Sequence, residues 1–111
     1  MQVVYFSVFL SITDHGVNIA GKNYIIICHV DEGYHSTYRW SDENGNSIIT
    51  NLSNGIHVHY IYSSFTLIRF LPLKQSHEGV YTCNATISEA TISKSFYVSV
   101  NGNDILVSLV L

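Results

Sequence analysis

Apolar and polar positions alternate with period two along most of the chain, and no window keeps an i, i+3, i+4 spacing over three turns. The pattern predicts strands, each with one face turned to a core. Val4, Phe6, Val8, Leu10 and Ile12 share a face of a first, edge strand read over Met1 to Ile12. Tyr24, Ile26 and Cys28 share a face, with Ile25 and Ile27 opposite. Tyr38 and Trp40 point one way and Arg39 the other. Val58, Tyr60 and Tyr62 alternate with His57, His59 and Ile61, and Thr66, Ile68 and Phe70 with Leu67, Arg69 and Leu71. Tyr81 shares a face with Cys83, and Phe96, Val98 and Val100 share one opposite Tyr97 and Ser99. Gly21, Asn44-Gly45, Asn54-Gly55 and Asn101-Gly102 separate these runs, and Asn-Gly is a strong tight-turn dipeptide because both residues tolerate positive φ. Short strands at this spacing predict a sandwich or barrel. One sheet alone would leave an apolar face wet, and two packed sheets bury it.

The 111 residues suffice for one domain. Only 12% are charged and 47% are apolar, against about 25% charged in a typical soluble domain. That composition excludes a disordered tail. A net charge of −3 with five Lys+Arg leaves no electrostatic footprint for nucleic acid. The apolar start resembles a signal-peptide core but lacks a basic n-region and a small-residue cleavage site. No apolar run approaches the roughly 20 residues of a spanning helix. The apolar end, Ile105 to Leu111, fits a linker, the first strand of a following domain, the start of a truncated span or an extra strand of this one. The domain is therefore read as residues 1–101, with 102–111 as an extension.

Two cysteines, Cys28 and Cys83, lie 55 residues apart without a C-x-x-C pair. That excludes a zinc ribbon or thioredoxin-like site and leaves either one long-range disulfide or two buried thiols. Trp40 follows Cys28 by 12 residues, and Cys83 ends the run His77-Glu78-Gly79-Val80-Tyr81-Thr82-Cys83. Together these resemble the immunoglobulin superfamily, whose motif before the second cysteine is D-x-G-x-Y-x-C. The resemblance covers about residues 3–101. It implies an all-β, two-sheet antiparallel sandwich with Greek-key topology, and a disulfide joining strands B and F across the sheets under the strand C tryptophan. It makes Trp40, Gly79 and Tyr81 core signature residues, with the Tyr81 hydroxyl returning to the backbone upstream. His77 departs from the motif, standing where the family has Asp. No Arg precedes 55–63, so the Arg–Asp ion pair of variable domains is not expected. Asp42-Glu43-Asn44-Gly45 resembles the C–C′ turn of intermediate-type domains, while the interval leaves room for a C′ strand over Ser47–Asn51. No G-x-G bulge marks an antibody or T-cell receptor chain.

Little in the sequence points to reaction chemistry. There is no nucleophile elbow and no phosphate loop, so no enzymatic role, cofactor or small-molecule substrate is expected. His57 and His59 share a strand face about 7 Å apart, but nothing near them completes a metal site, and none is expected. His77 reads as a turn residue. Asn51-Leu52-Ser53 and Asn84-Ala85-Thr86 are N-glycosylation sequons, with Asn84 expected to point outward. Tyr34 and His35 fall in the loop between strands B and C, where an aromatic can anchor a partner or fold over its own loop. Ile25, Ile27, Leu67 and Tyr97 are expected to form an exposed apolar patch.

The resemblance implies extracellular protein–protein recognition by a receptor or adhesion ectodomain, or by a secreted protein, with a membrane reached only through the parent chain. Another protein is the expected partner, a second copy being one candidate. A receptor tyrosine kinase ectodomain and a homophilic self-recognition molecule both fit as parents, and the departures from antibody patterns resemble invertebrate receptors. The alternatives are an intracellular structural module of a muscle-type scaffold and a secreted immune effector.

Overall fold

The computed structural model describes residues 8–31, 34–62 and 64–102. Seven strands follow in order: β1 (Leu10–Gly16), β2 (Tyr24–Val30), β3 (Thr37–Ser41), β4 (Ile56–Ile61), β5 (Phe65–Phe70), β6 (Gly79–Ile87) and β7 (Ala90–Val98). They form two antiparallel sheets, β1-β2-β5-β4 and β3-β6-β7. The predicted two-sheet, immunoglobulin-like sandwich is therefore what the chain adopts.

The predicted inward faces meet in one core. Ile26, Cys28, Trp40, Ile68, Phe70, Cys83, Ala85 and Val98 are wholly buried, with Tyr24, Leu73 and Val100 nearly so. Each buried side chain of this size contributes about 1.5–3 kcal/mol relative to exposure. Cys28 of β2 and Cys83 of β6 form the disulfide, with Cα atoms 6.5 Å apart. It ties an inner strand of one sheet to the central strand of the other. A loop of this length gives a bridge worth about 4 kcal/mol on the chain-entropy account.

Trp40 lies opposite Cys83 in the β3–β6 register. Its indole N–H donates to Thr66 Oγ1 at 3.0 Å. Thr66, also fully buried, donates a hydrogen bond from its own hydroxyl to His59 O at 2.8 Å. This relay runs from β3 across the sandwich to β5 and β4. Among the described residues no buried side-chain N or O lacks a partner.

Three expectations change. The first strand begins at Leu10, with 1–7 outside the described residues, and it continues past Ile12 to Gly16. That continuation places Asp14 on the inward side near the sheet's end, where its Oδ2 accepts from Tyr24 Oη at 2.6 Å. The segment Ser47–Asn51 forms no C′ strand. It makes only the isolated bridges Ser41↔Ser47 and Asn51↔Ile56, because its end turns to the β4 edge. There Asn51 exchanges both backbone bonds with Ile56, and Thr50 Oγ1 bonds Val58 N and O at 3.0 and 3.3 Å. Half of an edge strand that would otherwise offer free N–H and C=O groups is thus closed. Finally, the last strand starts at Ala90, joined to β6 through the two-residue turn Ser88-Glu89. Most of the expected extension, 103–111, lies outside the described residues. The backbone near Ile19 crosses to a parallel bridge with Asn101, which brings the segment after β1 beside the end of β7.

Thr66→Val should leave the Trp40 N–H buried without an acceptor and cost about 1–3 kcal/mol, read as a lower midpoint in denaturant. An unchanged midpoint would remove the relay's structural role.

Candidate recognition surfaces

The corner before β6 fixes how the two sheets meet. Tyr81 Oη donates to His77 O at 2.6 Å, the backbone return expected of that tyrosine. Burial, and secondarily Glu43, push its pKa up to about 12. Its ring meets Phe70 edge-on at 5.5 Å, and Phe70 also packs on His77 at 5.0 Å with the rings tilted by 45°. His77 is 2% exposed, so it is a core residue as well as a turn residue. Its Nδ1 accepts from Lys74 N at 2.8 Å, and its Nε2 lies 2.7 Å from Asn54 O. A carbonyl only accepts, so the ring is the neutral tautomer with its proton on Nε2. The imidazole thereby ties the turn before β6 to the turn that starts β4, where an Arg–Asp pair was not expected.

Gly79 has φ +154°, and an added Cβ would meet Glu43 Oε1 at 2.8 Å. Glu43 reaches this point from the turn after β3 and accepts from Val80 N at 3.1 Å. A cleft of about 300 Å³ opens beside it, lined among others by Asp42, Glu43, Glu78 and Tyr81. No sequence pattern pointed to Glu43, because its partner lies 37 residues away.

The strand register sets the composition of each outer face. On the four-stranded sheet, Ser11, Thr13 and His15 of β1 stand beside His29, Ile27 and Ile25 of β2. Leu67 and Arg69 of β5 continue the rows to His59 and His57 of β4. Ile25, Ile27 and Leu67 are half-buried, with His15, His29, His57, His59 and Arg69 around them. Among the described residues no Asp or Glu stands on this face. The His57 and His59 rings stack 6.4 Å apart. Among the described residues no group of three His, Cys, Asp or Glu could hold a metal.

The predicted apolar patch is therefore split. Tyr97, 57% exposed, belongs to the other sheet. That outer face carries Arg39, opposite Asn84 and bonded to Ser47 Oγ and Gly45 O, among hydroxyls and an amide that pair with one another. Thr82 bonds Ser95 at 2.8 Å and Thr86 bonds Thr91 at 3.0 Å. Asn84 points outward as expected. Its Nδ2 donates to Arg39 O and Ser41 Oγ, and its Oδ1 accepts from Ser93 Oγ at 2.7 Å.

In the loop after β2, Tyr34 is half-buried and packs against the core, while His35 is exposed. Asn51 is exposed at the turn before β4.

No protein-family model matches the sequence. Over 75 residues the chain is 28% identical to the signaling lymphocytic activation molecule of Mus musculus, a stretch covering 68% of this chain and 19% of that protein. The chain thus spans about a fifth of that relative's length. The Dscam1 Ig7 domain, isoform 5, superposes with a TM-score of 0.66 at 26% identity, over 86% of this chain and all of that one. An I-band fragment of titin superposes with a TM-score of 0.67 at 18% identity, over 89% of this chain and 34% of that one. At that identity the likeness to titin shows the fold alone.

The His77 geometry fixes a pH dependence. Burial first, and Lys74 to a lesser degree, hold its pKa below the ordinary 6.5, against the bond to Asn54. The unfolded chain therefore takes up the proton at higher pH than the folded one. Stability is retained above 6.5 and lost as pH falls through the lower folded value. Thermal melts from about pH 7.5 to about pH 5 should show this acid loss, limited for one proton to about 1.4 kcal/mol per pH unit. His77→Gln should lower the melting temperature at neutral pH and flatten the acid slope. The same slope in the variant would show that another group is responsible.

Proposed function

We propose that this immunoglobulin-superfamily domain is an extracellular protein-recognition module of a cell-surface receptor or adhesion protein, binding through the outer face of β1-β2-β5-β4. The observation that carries the compartment is the buried Cys28–Cys83 bond. Such bonds persist in oxidising compartments and are rare in the cytosol. The similar proteins divide between cell-surface molecules, signaling lymphocytic activation molecule and Dscam1, and the muscle protein titin. The disulfide favours the first group.

The choice of face rests on its chemistry. Association draws on apolar surface removed from water. Ile25, Ile27 and Leu67 supply such surface at the centre of the four-stranded sheet. The hydroxyls of the three-stranded sheet already pair with each other and offer a partner little to satisfy. With Arg69 present and no carboxylate among the described residues of the face to repel one, the four-stranded face suits a protein that brings Asp or Glu side chains around an apolar contact. The role is recognition and not catalysis, with no cofactor in the mechanism.

Two measurements test this reading. An antibody to the domain should label intact cells that express the parent protein, and both cysteines should resist alkylation until reduced. Labelling only after permeabilisation, with two reactive thiols, would establish the intracellular scaffold reading instead. Ile27→Asp should weaken partner capture by the tetramerised domain at least tenfold, by about 1.4 kcal/mol or more, while Ser95→Asp on the opposite face should not. The reverse pattern would move the site to the three-stranded sheet.

A further inference from the structure

The two sequons occupy unlike places in the fold. Asn51 is exposed and sits at the N-terminal side of a 3₁₀ turn, Leu52–Asn54, closed by Gly55 with φ +71°. Its side-chain oxygen accepts from the sequon hydroxyl, Ser53 Oγ, at 2.8 Å. Its Nδ2, the atom that takes the sugar, has no partner among the described residues. Asn84 lies in the middle of β6, between β3 and β7. Its Nδ2 is committed twice, to Arg39 O at 3.2 Å and Ser41 Oγ at 3.1 Å. Its sequon hydroxyl, Thr86 Oγ1, is bonded to Thr91 Oγ1 at 3.0 Å and not to Asn84. Asn84 is a clasp that bridges both neighbouring strands from the central one.

A second observation marks the Asn51 side. Ile49 is 72% exposed and Leu52 67% exposed, two large apolar side chains flanking the acceptor within three residues. A sugar chain on Asn51 would lie beside both. It would also sit at the β4 edge and leave the two sheet faces open.

We infer that the domain carries one N-linked glycan, on Asn51, and that Asn84 stays unmodified as the clasp of the three-stranded sheet. This rests on the extracellular reading, because the donor is a lipid-pyrophosphate-linked oligosaccharide of the secretory pathway. In the transfer, Asn51 Nδ2 bonds the anomeric carbon of the donor sugar. The carbon–oxygen bond to the pyrophosphate breaks, the lipid pyrophosphate leaves with the electron pair, and the amide proton goes to a base on the transferase. At Asn84 the same substitution would replace a hydrogen on Nδ2 and give up at least one of its two bonds.

The test is site occupancy in the chain secreted from a eukaryotic cell line behind a heterologous signal peptide. Secreted material and material retained in the cell are both analysed. Intact mass should show a single glycan. Enzymatic deglycosylation in heavy-oxygen water, followed by peptide mass spectrometry, should place the label on Asn51 and not on Asn84. Ser53→Ala should abolish the glycan, and Thr86→Val, which destroys only the second sequon, should leave its mass unchanged. A label at Asn84, two glycans, or a bare Asn51 would overturn the inference. Because secretion is imposed, those outcomes bear on site choice alone. The compartment of the native protein stands or falls separately, on labelling of intact cells.

Discussion

The bond between Cys28 and Cys83, with Trp40 beside Cys83 in the β3–β6 register, is the constraint on which the sandwich depends. It joins β2 to β6, so neither sheet can slide without breaking a covalent tie. Trp40 is wholly buried and would bring an N–H into an apolar core at a cost. Thr66 removes that cost by accepting a hydrogen bond from the indole N–H, and its own hydroxyl donates one to His59 O. The relay fixes β3 over β5 and β4 at one depth in the core, and the inward faces pack around it.

The corner before β6 does the same at one end of the molecule by a different means. His77 stands where the family has an acid, and a neutral ring holds the turn to the start of β4 through one accepted and one donated bond. A neutral tie avoids the desolvation penalty of a buried charge pair, and it makes the tie sensitive to acid. Tyr81 binds the backbone of the same residue, and Phe70 packs on both rings. Three aromatic rings and two backbone carbonyls therefore share one joint.

The low charge of the chain takes on a specific meaning in this frame. The apolar excess is divided among the core, the centre of the four-stranded outer face, and the Ile49–Leu52 side of the β4 edge. On the three-stranded face Arg39 is bonded to Ser47 Oγ and Gly45 O, and the hydroxyls and Asn84 bond one another. Among the described residues the four-stranded face sets the half-buried Ile25, Ile27 and Leu67 beside Arg69, whereas on the three-stranded face Arg39 and the hydroxyls are held by bonds within the domain.

Much of the fold was legible in the residues themselves. Period-two alternation sorted Tyr24, Ile26, Cys28, Trp40, Ile68, Phe70, Cys83 and Val98 to the inside, because a strand's side chains alternate whatever lies around it. The spacing of Cys28, Trp40 and the G-x-Y-x-C run carried the resemblance and with it the sandwich. What depends on distant partners was not legible. Thr66 reads as one more inward strand residue until Trp40 is placed across from it. Glu43 reads as a solvated turn acid until it meets Val80 N. Tyr97 read as part of the Ile25–Leu67 patch, since alternation gives a side of a strand but not the sheet that strand joins. Residues 47–51 had length enough for a strand, but backbone bonds at the β4 edge used the end of the segment. The two sequons were equal as text, and the tertiary structure separated them by leaving one Nδ2 free at a turn and bonding the other across a sheet. The sequence by itself determined the strands, their inward faces and the family they resemble, because those follow from local periodicity and spacing. The tertiary structure alone decided which polar groups are already satisfied, because that depends on which strands become neighbours.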